Sequence, residues 1–155
     1  MTPNLLKHYQ GLAMAAKVKA AEQRTDRIGD IVRKILSRCL WADRGSAYGP
    51  CLEWQGPDSG KPGRGREKGR GHSYARGCFE GVTAAVHRVL WITLNGWLPS
   101  RKQLDHLCQN RRCVLHCEPV THKENQRRRD NARLLQGHVP AASDASAASL
   151  DGVSL

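Results

Sequence analysis

The sequence predicts an α+β fold: a small zinc-stapled core, helices at the N-terminus and a disordered C-terminal tail. The chain has 155 residues, which is the size of one domain with a tail. Only 39% of the residues are hydrophobic, so the core is thin and would gain from a bound metal. Three of the six cysteines and four of the seven histidines fall between residues 87 and 122. We therefore expect the functional site to lie in this stretch of the chain.

The charge divides the chain into a basic body and a neutral-to-acidic tail. The formal net charge is +11, which favours a polyanionic partner. Residues 136–155 are rich in Ala and Ser and contain no Lys or Arg, so we expect disorder there. We therefore expect an N-terminal helical segment over 1–44, a folded domain over 45–135 and a disordered tail over 136–155.

Helical periodicity predicts the N-terminal segment. Residues 4–22 fit a helix with a mixed face, and 26–41 carry a clear apolar stripe at helical spacing. Cys39 belongs to this stripe, which favours a small buried side chain. The chain contains no apolar run of about 18 residues and begins without a secretory pattern, so we expect a cytoplasmic protein without a membrane span.

The middle of the chain alternates strands with one loop and one helix. CLEWQG at 51–56 fits a strand, and 73–86 fits strand structure. Residues 56–72 are rich in Gly and basic residues, and they predict a mobile loop that either embraces a phosphate backbone or is a solvated linker. A helix is predicted over 84–95, ending at Gly96.

The last part of the folded region fits the order strand, loop, strand and helix. Residues 103–106 and 118–120 fit short strands on either side of the loop CQNRRCVLHC. Thr121 and Glu124 match a capping box, so a helix should begin at His122 and end near Gly137.

The cysteines and histidines of this loop have metal-ligand spacing. Cys108 and Cys113 are separated by four residues, and His116 follows three residues later. Thiolates and imidazoles suit tetrahedral zinc, for which Cys51 is the best fourth ligand and Cys117 an alternative to His116. Simple burial of the cysteines is the competing interpretation, and disulfides are disfavoured without an export signal.

A second set of polar residues surrounds this loop. Asp105 and Asn125 offer hard oxygen ligands for Mg²⁺, and His106 offers a base that titrates near neutrality. From spacing alone, the plainer interpretation is that His106 is a fifth zinc-loop residue or a core histidine and that Asn125 is a solvated helix residue.

Several motifs in order resemble the HNH endonucleases of the ββα-metal superfamily, of the phage type related to His–Cys box homing endonucleases. The resemblance covers about residues 45–130. It is carried by CLEWQG at 51–56, VHRVLW at 86–91, Gly96 with Leu98-Pro99, and LDHLCQNRRCVLHCEPVTHKENQRR at 104–128.

The resemblance implies a metal-dependent DNA endonuclease with a ββα-metal (HNH) core. By it, His106 matches the general base, while Asp105 and Asn125 match the positions that hold the catalytic Mg²⁺. The matching structural zinc ligands are Cys51, Cys108, Cys113 and His116. His87 falls on a recurrent His-Arg pair, for which packing is the plainer role. The chain has about two residues fewer between Cys113 and His116 than the family usually has, which keeps Cys117 as a rival and leaves a degenerate nuclease open.

The implied partner is double-stranded DNA, and no membrane is implied. A homodimer is one way in which a protein with one active site per chain could cut both DNA strands. The resemblance also points to a phage or bacterial source. The alternatives are a non-catalytic zinc-stapled DNA-binding protein and an RNA- or ribosome-associated basic zinc protein. The residues expected to contact DNA or its developing charge are Arg70, Arg76, Arg111, Arg112, Lys123, Arg127, Arg128 and Arg129, of which the last three could equally form a solvated helix face.

Overall fold

Two helices and a strand pair make up the first third of the computed structural model, which describes residues 2–58 and 74–135. The predicted basic loop beyond residue 58, including Arg70, and the predicted tail over 136–155 lie outside the described residues. Helix α1 (Pro3–Glu22) agrees with the prediction, and helix α2 (Arg27–Leu36) begins where Asp26 Oδ1 accepts a hydrogen bond from the Gly29 N–H at 3.2 Å.

The prediction of one helix over 26–41 is wrong at its C-terminal end. The helix stops at Leu36, and strand β1 (Cys39–Ala42) pairs antiparallel with strand β2 (Cys51–Trp54). Cys39 therefore lies opposite Trp54 in a sheet and is only partly buried. The apolar run suits both conformations, and pairing with β2 decides between them because tertiary contacts override local pattern.

The expected boundary between residues 44 and 45 falls between these two paired strands. The N-terminal helices also share a core with residues beyond this boundary. Val32 and Ile35 of α2 are buried in one cluster with Leu52 of β2. The 1–44 segment is thus part of the same packed unit as β2.

The rest of the described chain contains two further strand pairs and two helices. Strands β3 (Arg76–Phe79) and β4 (Val82–Ala85) form an antiparallel hairpin. Helix α3 (Val86–Asn95) begins directly after β4 and ends at Gly96, whose φ of +85° suits glycine.

The predicted strand, loop, strand and helix pattern is present. Strands β5 (Lys102–His106) and β6 (Cys117–Thr121) pair antiparallel, and helix α4 (His122–Leu135) begins directly after β6. Thr121 Oγ1 accepts a hydrogen bond from the Glu124 N–H at 3.2 Å, which is one half of the predicted capping box. None of the described helices has the length and apolar character needed to cross a membrane.

Gly11 of helix α1 lies close to the backbone of a neighbouring segment. A Cβ at this position would lie 1.7 Å from the carbonyl oxygen of Tyr48 in the β1–β2 connection. The ring of Tyr48 in turn lies 5.9 Å from the ring of His116. Gly11 therefore allows α1 to support the segment that covers this histidine.

We predict that Gly11→Ala destabilises the fold by about 1–3 kcal/mol, because the methyl group would displace the backbone at Tyr48. Helix propensity alone predicts the opposite sign, a gain of about 1 kcal/mol. Urea unfolding of the two proteins measures the difference, with Gln10→Ala on the exposed side of the same helix as the control. A stabilised Gly11→Ala variant would contradict the close approach.

Candidate metal centre and active site

The loop between β5 and β6 is attached to β2 by backbone hydrogen bonds. The Trp54 N–H donates to the Arg112 carbonyl at 3.0 Å, and the Val114 N–H donates to the Leu52 carbonyl at 2.9 Å. Because β1 occupies the other edge of β2, this strand is held on both sides. The attachment brings Cys51 next to a loop that lies more than fifty residues away in the sequence.

Side chains reinforce the same attachment. The carboxylate of Glu53, which is only 6% exposed, accepts hydrogen bonds from Arg44 Nε at 2.7 Å and from Asn110 Nδ2 at 2.7 Å. The hydrogen bond from Arg44 is the main reason that the pKa of Glu53 lies below its ordinary value. All four residues of β2 are buried, so the strand does not show the alternation between two faces that an isolated strand would have.

Four predicted metal ligands converge beside this attachment. The ligand atoms of Cys51, Cys108, Cys113 and His116 all lie within 4.8 Å of one another, and this cluster could hold a metal ion. Three of the four residues are buried, and Cys108 is partly buried. Three sulfurs and one ring nitrogen at this separation fit the tetrahedral ligand set of a structural zinc site.

The thiol groups of the cluster differ in their acidity. Hydrogen bonds from Cys108 and Cys51, together with one from the His116 N–H at 3.5 Å, hold the pKa of Cys113 well below its ordinary range. A thiolate is the form that ligates a metal.

The structure places His116, and not Cys117, in the cluster. Cys117 is buried next to it, and burial raises the pKa of its thiol. The two residues between Cys113 and His116 suffice because Val114 pairs with β2 and the Cys117 N–H bonds back to the Leu115 carbonyl at 2.9 Å. The shortened loop therefore still brings His116 into the cluster.

His106 lies at the end of β5 and is 8% exposed. Its Nε2 is buried from solvent and has no hydrogen-bond partner in the described part of the chain, and the backbone of Cys113 lies close to the ring. Burial lowers the pKa of His106 below its ordinary value, while Cys113 and Asp105 act in the opposite direction. Burial of the ring therefore favours its neutral form.

His87 packs directly against this ring at the start of α3. The two ring centroids are 4.7 Å apart, and Tyr74 lies within 5.6 Å of both. Burial, followed by the proximity of His106, lowers the pKa of His87 to about 3, so His87 is also neutral. This contact agrees with the packing role expected for His87.

His106 and the two predicted oxygen ligands line one open cavity of about 560 Å³. Asp105 and Asn125 both face it, so the structure brings together the three residues that sequence reasoning grouped. Glu118, which lies opposite Asp105 in the strand register, also lines it and was not predicted. The pairing of the two strands is the signal that could have identified Glu118.

Of the basic residues predicted to contact DNA, some line the cavity and others do not. Arg111 stacks on Tyr74 at 5.4 Å and lines the cavity, as do Arg128, Arg129 and the unpredicted Arg133. Arg112 instead donates to the carbonyl oxygen of Trp54 at 2.6 Å. The remaining described candidates do not line the cavity; they are Arg76, Lys123 and Arg127.

Comparison with known families agrees with this geometry. A family model described as HNH endonuclease matches residues 84–127, the segment that contains α3, the β5–β6 hairpin and the start of α4. The match confirms the resemblance to HNH endonucleases over these residues. No curated protein and no solved structure matches the chain significantly.

We predict about one tightly bound zinc ion per purified chain, and loss of most of it in His116→Ala. The matched control is Cys117→Ser, which alters the adjacent buried residue outside the cluster and should keep its metal. Elemental analysis by mass spectrometry, alongside circular dichroism, measures both effects. Metal retained in His116→Ala but lost in Cys117→Ser would assign the fourth ligand to the other residue.

Proposed function

We propose that this chain is an HNH endonuclease, a metal-dependent enzyme that hydrolyses phosphodiester bonds in DNA. The observation that carries the proposal is that Asp105, His106 and Asn125 line one cavity next to the Cys/His cluster. An imidazole, a carboxylate and an amide in one cleft can supply the general base and the metal ligands for hydrolysis of a phosphodiester.

His106 would act as the general base. The ring lines the cavity, and one of its two nitrogens would take a proton from the attacking water; Nε2 itself is buried from solvent in this structure. The backbone of Cys113 lies close to the ring and would help to set its orientation. The rings of His87 and Tyr74 restrict its rotation further.

The donor set of the cavity fits a hard divalent ion such as Mg²⁺. Asp105 and Asn125 supply oxygen atoms, and the cavity is open enough for the ion to keep several waters. When bound there, the ion would neutralise charge on the scissile phosphate and its leaving oxygen. The Cys/His cluster fits zinc instead, and its role would be to hold the loop against β2.

The arginines around the cavity favour a nucleic-acid substrate. Arg129 and Arg133 lie four residues apart on α4 and face the cavity, and Arg111 faces it from the loop. Such a row would follow the phosphate backbone of double-stranded DNA. Arg127 pairs with Glu124 at 3.0 Å outside the cavity, which suits a solvated helix face.

A non-catalytic zinc-stapled DNA-binding protein is the main alternative. That protein would bind DNA through the same arginines and leave it uncut, so a nicking assay separates the two functions. The cytoplasmic location, the phage or bacterial source and a homodimer stay predictions of the sequence.

We predict that the chain nicks supercoiled plasmid DNA in the presence of Mg²⁺, and that His106→Ala loses at least about 100-fold of this activity, because the base is removed. Gel analysis of nicked product measures the rate. The variant should keep its zinc, since His106 lies outside the ligand cluster.

The control for this comparison is His8→Ala, which removes an exposed histidine of α1 and should nick at the parental rate. Equal nicking by His106→Ala and the parent would rule out the assignment of the base. DNA binding without any cleavage by the parent would favour the non-catalytic alternative.

We predict that Arg129→Ala weakens binding to a DNA duplex and reduces the slope of log affinity against log salt by about 0.9, because one phosphate contact is lost. Fluorescence anisotropy at several salt concentrations gives both quantities in the His106→Ala background, in which the duplex stays intact. Arg27→Ala is the control, since this exposed side chain of α2 pairs with Glu80 away from the cavity. An equal slope change in both variants would mean that only net charge matters.

A further inference from the structure

Helix α4 carries Asn125, yet it is weakly held by apolar contacts. None of its described side chains is buried. It begins directly after β6 without a connecting loop, so its start is fixed while its tilt against the hairpin is not. Polar contacts must therefore set the position of the helix relative to β5 and β6.

Arg128 makes contacts of this kind with both strands. Its Nη1 donates to Asp105 Oδ2 on β5 at 3.2 Å and to Glu118 Oε1 on β6. Its Nε donates to Glu124 Oε1 within the helix at 3.1 Å. Among the described residues of α4, Arg128 alone forms ion pairs with both strands.

The partners of Arg128 are well placed for a bridge. Asp105 and Glu118 are directly opposite in the strand register, so two carboxylates of like charge face each other across the hairpin. The guanidinium lies between them and compensates their repulsion. Its planar fork can bind two carboxylates at once, which an ammonium group does less well.

Arg128 and Asn125 are three residues apart and line the same cavity. Fixing the guanidinium against the hairpin therefore restricts the distance from Asn125 to Asp105, together with the hydrogen bonds of His122 and Asn125 to Gln103 on β5. The amide of Asn125 is oriented in addition, because its Nδ2 donates to Gln103 Oε1 on β5 at 2.9 Å. This hydrogen bond leaves Asn125 Oδ1 as the atom available to a metal ion.

We infer that Arg128 is a positioning residue that clamps α4 onto the Asp105–Glu118 pair and so sets the separation of the two proposed ion ligands, Asp105 and Asn125. The inference rests on the proposed function, since it concerns the same ion site. It replaces the role in DNA contact that the sequence suggested for Arg128.

The test is the affinity of the full-length, zinc-loaded chain for Mn²⁺, measured from the signal of free Mn²⁺ in electron paramagnetic resonance. We expect Arg128→Gln to weaken Mn²⁺ binding at least about fivefold, because the loosened helix no longer holds Asn125 in place. Arg128→Lys should recover part of the affinity, because one ion pair can reform. Arg127→Gln makes the same charge change one residue away and should leave the affinity within about twofold.

A double-mutant cycle separates positioning from a direct charge effect. If Arg128 acts through Asn125, then Arg128→Gln should cause no further loss in an Asn125→Ala background. The melting temperature provides the check on folding, and it should change little because the ion pairs of Arg128 are partly exposed.

Tighter or unchanged Mn²⁺ binding by Arg128→Gln would overturn the inference, and tighter binding would mean that the guanidinium acts as a competing cation. An additive loss in the double mutant, or an equal loss with Arg127→Gln, would overturn it as well. If Asn125→Ala leaves Mn²⁺ binding unchanged, the proposed ion site itself fails and this inference fails with it. A loss in Asn125→Ala without a loss in Arg128→Gln defeats the clamp alone.

Discussion

The pairing of the β5–β6 loop with β2 is the constraint on which the rest of the site depends. It carries Cys51 to Cys108, Cys113 and His116, and it buries Glu53 against the loop. Cys113 then links both halves of the site, because its sulfur belongs to the ligand cluster and its backbone lies close to the ring of His106. A metal in the cluster would thus stabilise the orientation of His106 as well as the fold.

Features with a strong local signal were predictable from sequence. The Thr121 cap, the helix end at Gly96 and the spacing of Cys108, Cys113 and His116 each depend on neighbouring residues. Contacts that depend on distant pairing were not predictable. Glu118 becomes a cavity residue only through its register partner Asp105.

The end of α2 was also predicted wrongly because it depends on a contact with a distant strand. Its apolar stripe continues past Leu36 in the sequence, but pairing with β2 turns the next residues into a strand.

The net charge of the chain also does not identify the basic residues that face the cavity. The net charge of +11 indicates a polyanionic partner, yet Arg112 binds backbone carbonyls and Arg128 binds carboxylates. Only the fold determines which guanidinium groups face the cavity.

The direct junction between β6 and α4 restricts how the chain can vary in length. Thr121 ends the strand and His122 begins the helix, so Asn125 takes its direction from the number of residues counted from that point. One inserted residue within this short stretch would rotate the amide by about 100° around the helix axis. The loop from Cys113 to His116 tolerates a shorter form because β2 holds it. A change in length between Cys113 and His116 is therefore compatible with the site, whereas a change in length between Thr121 and Asn125 is not.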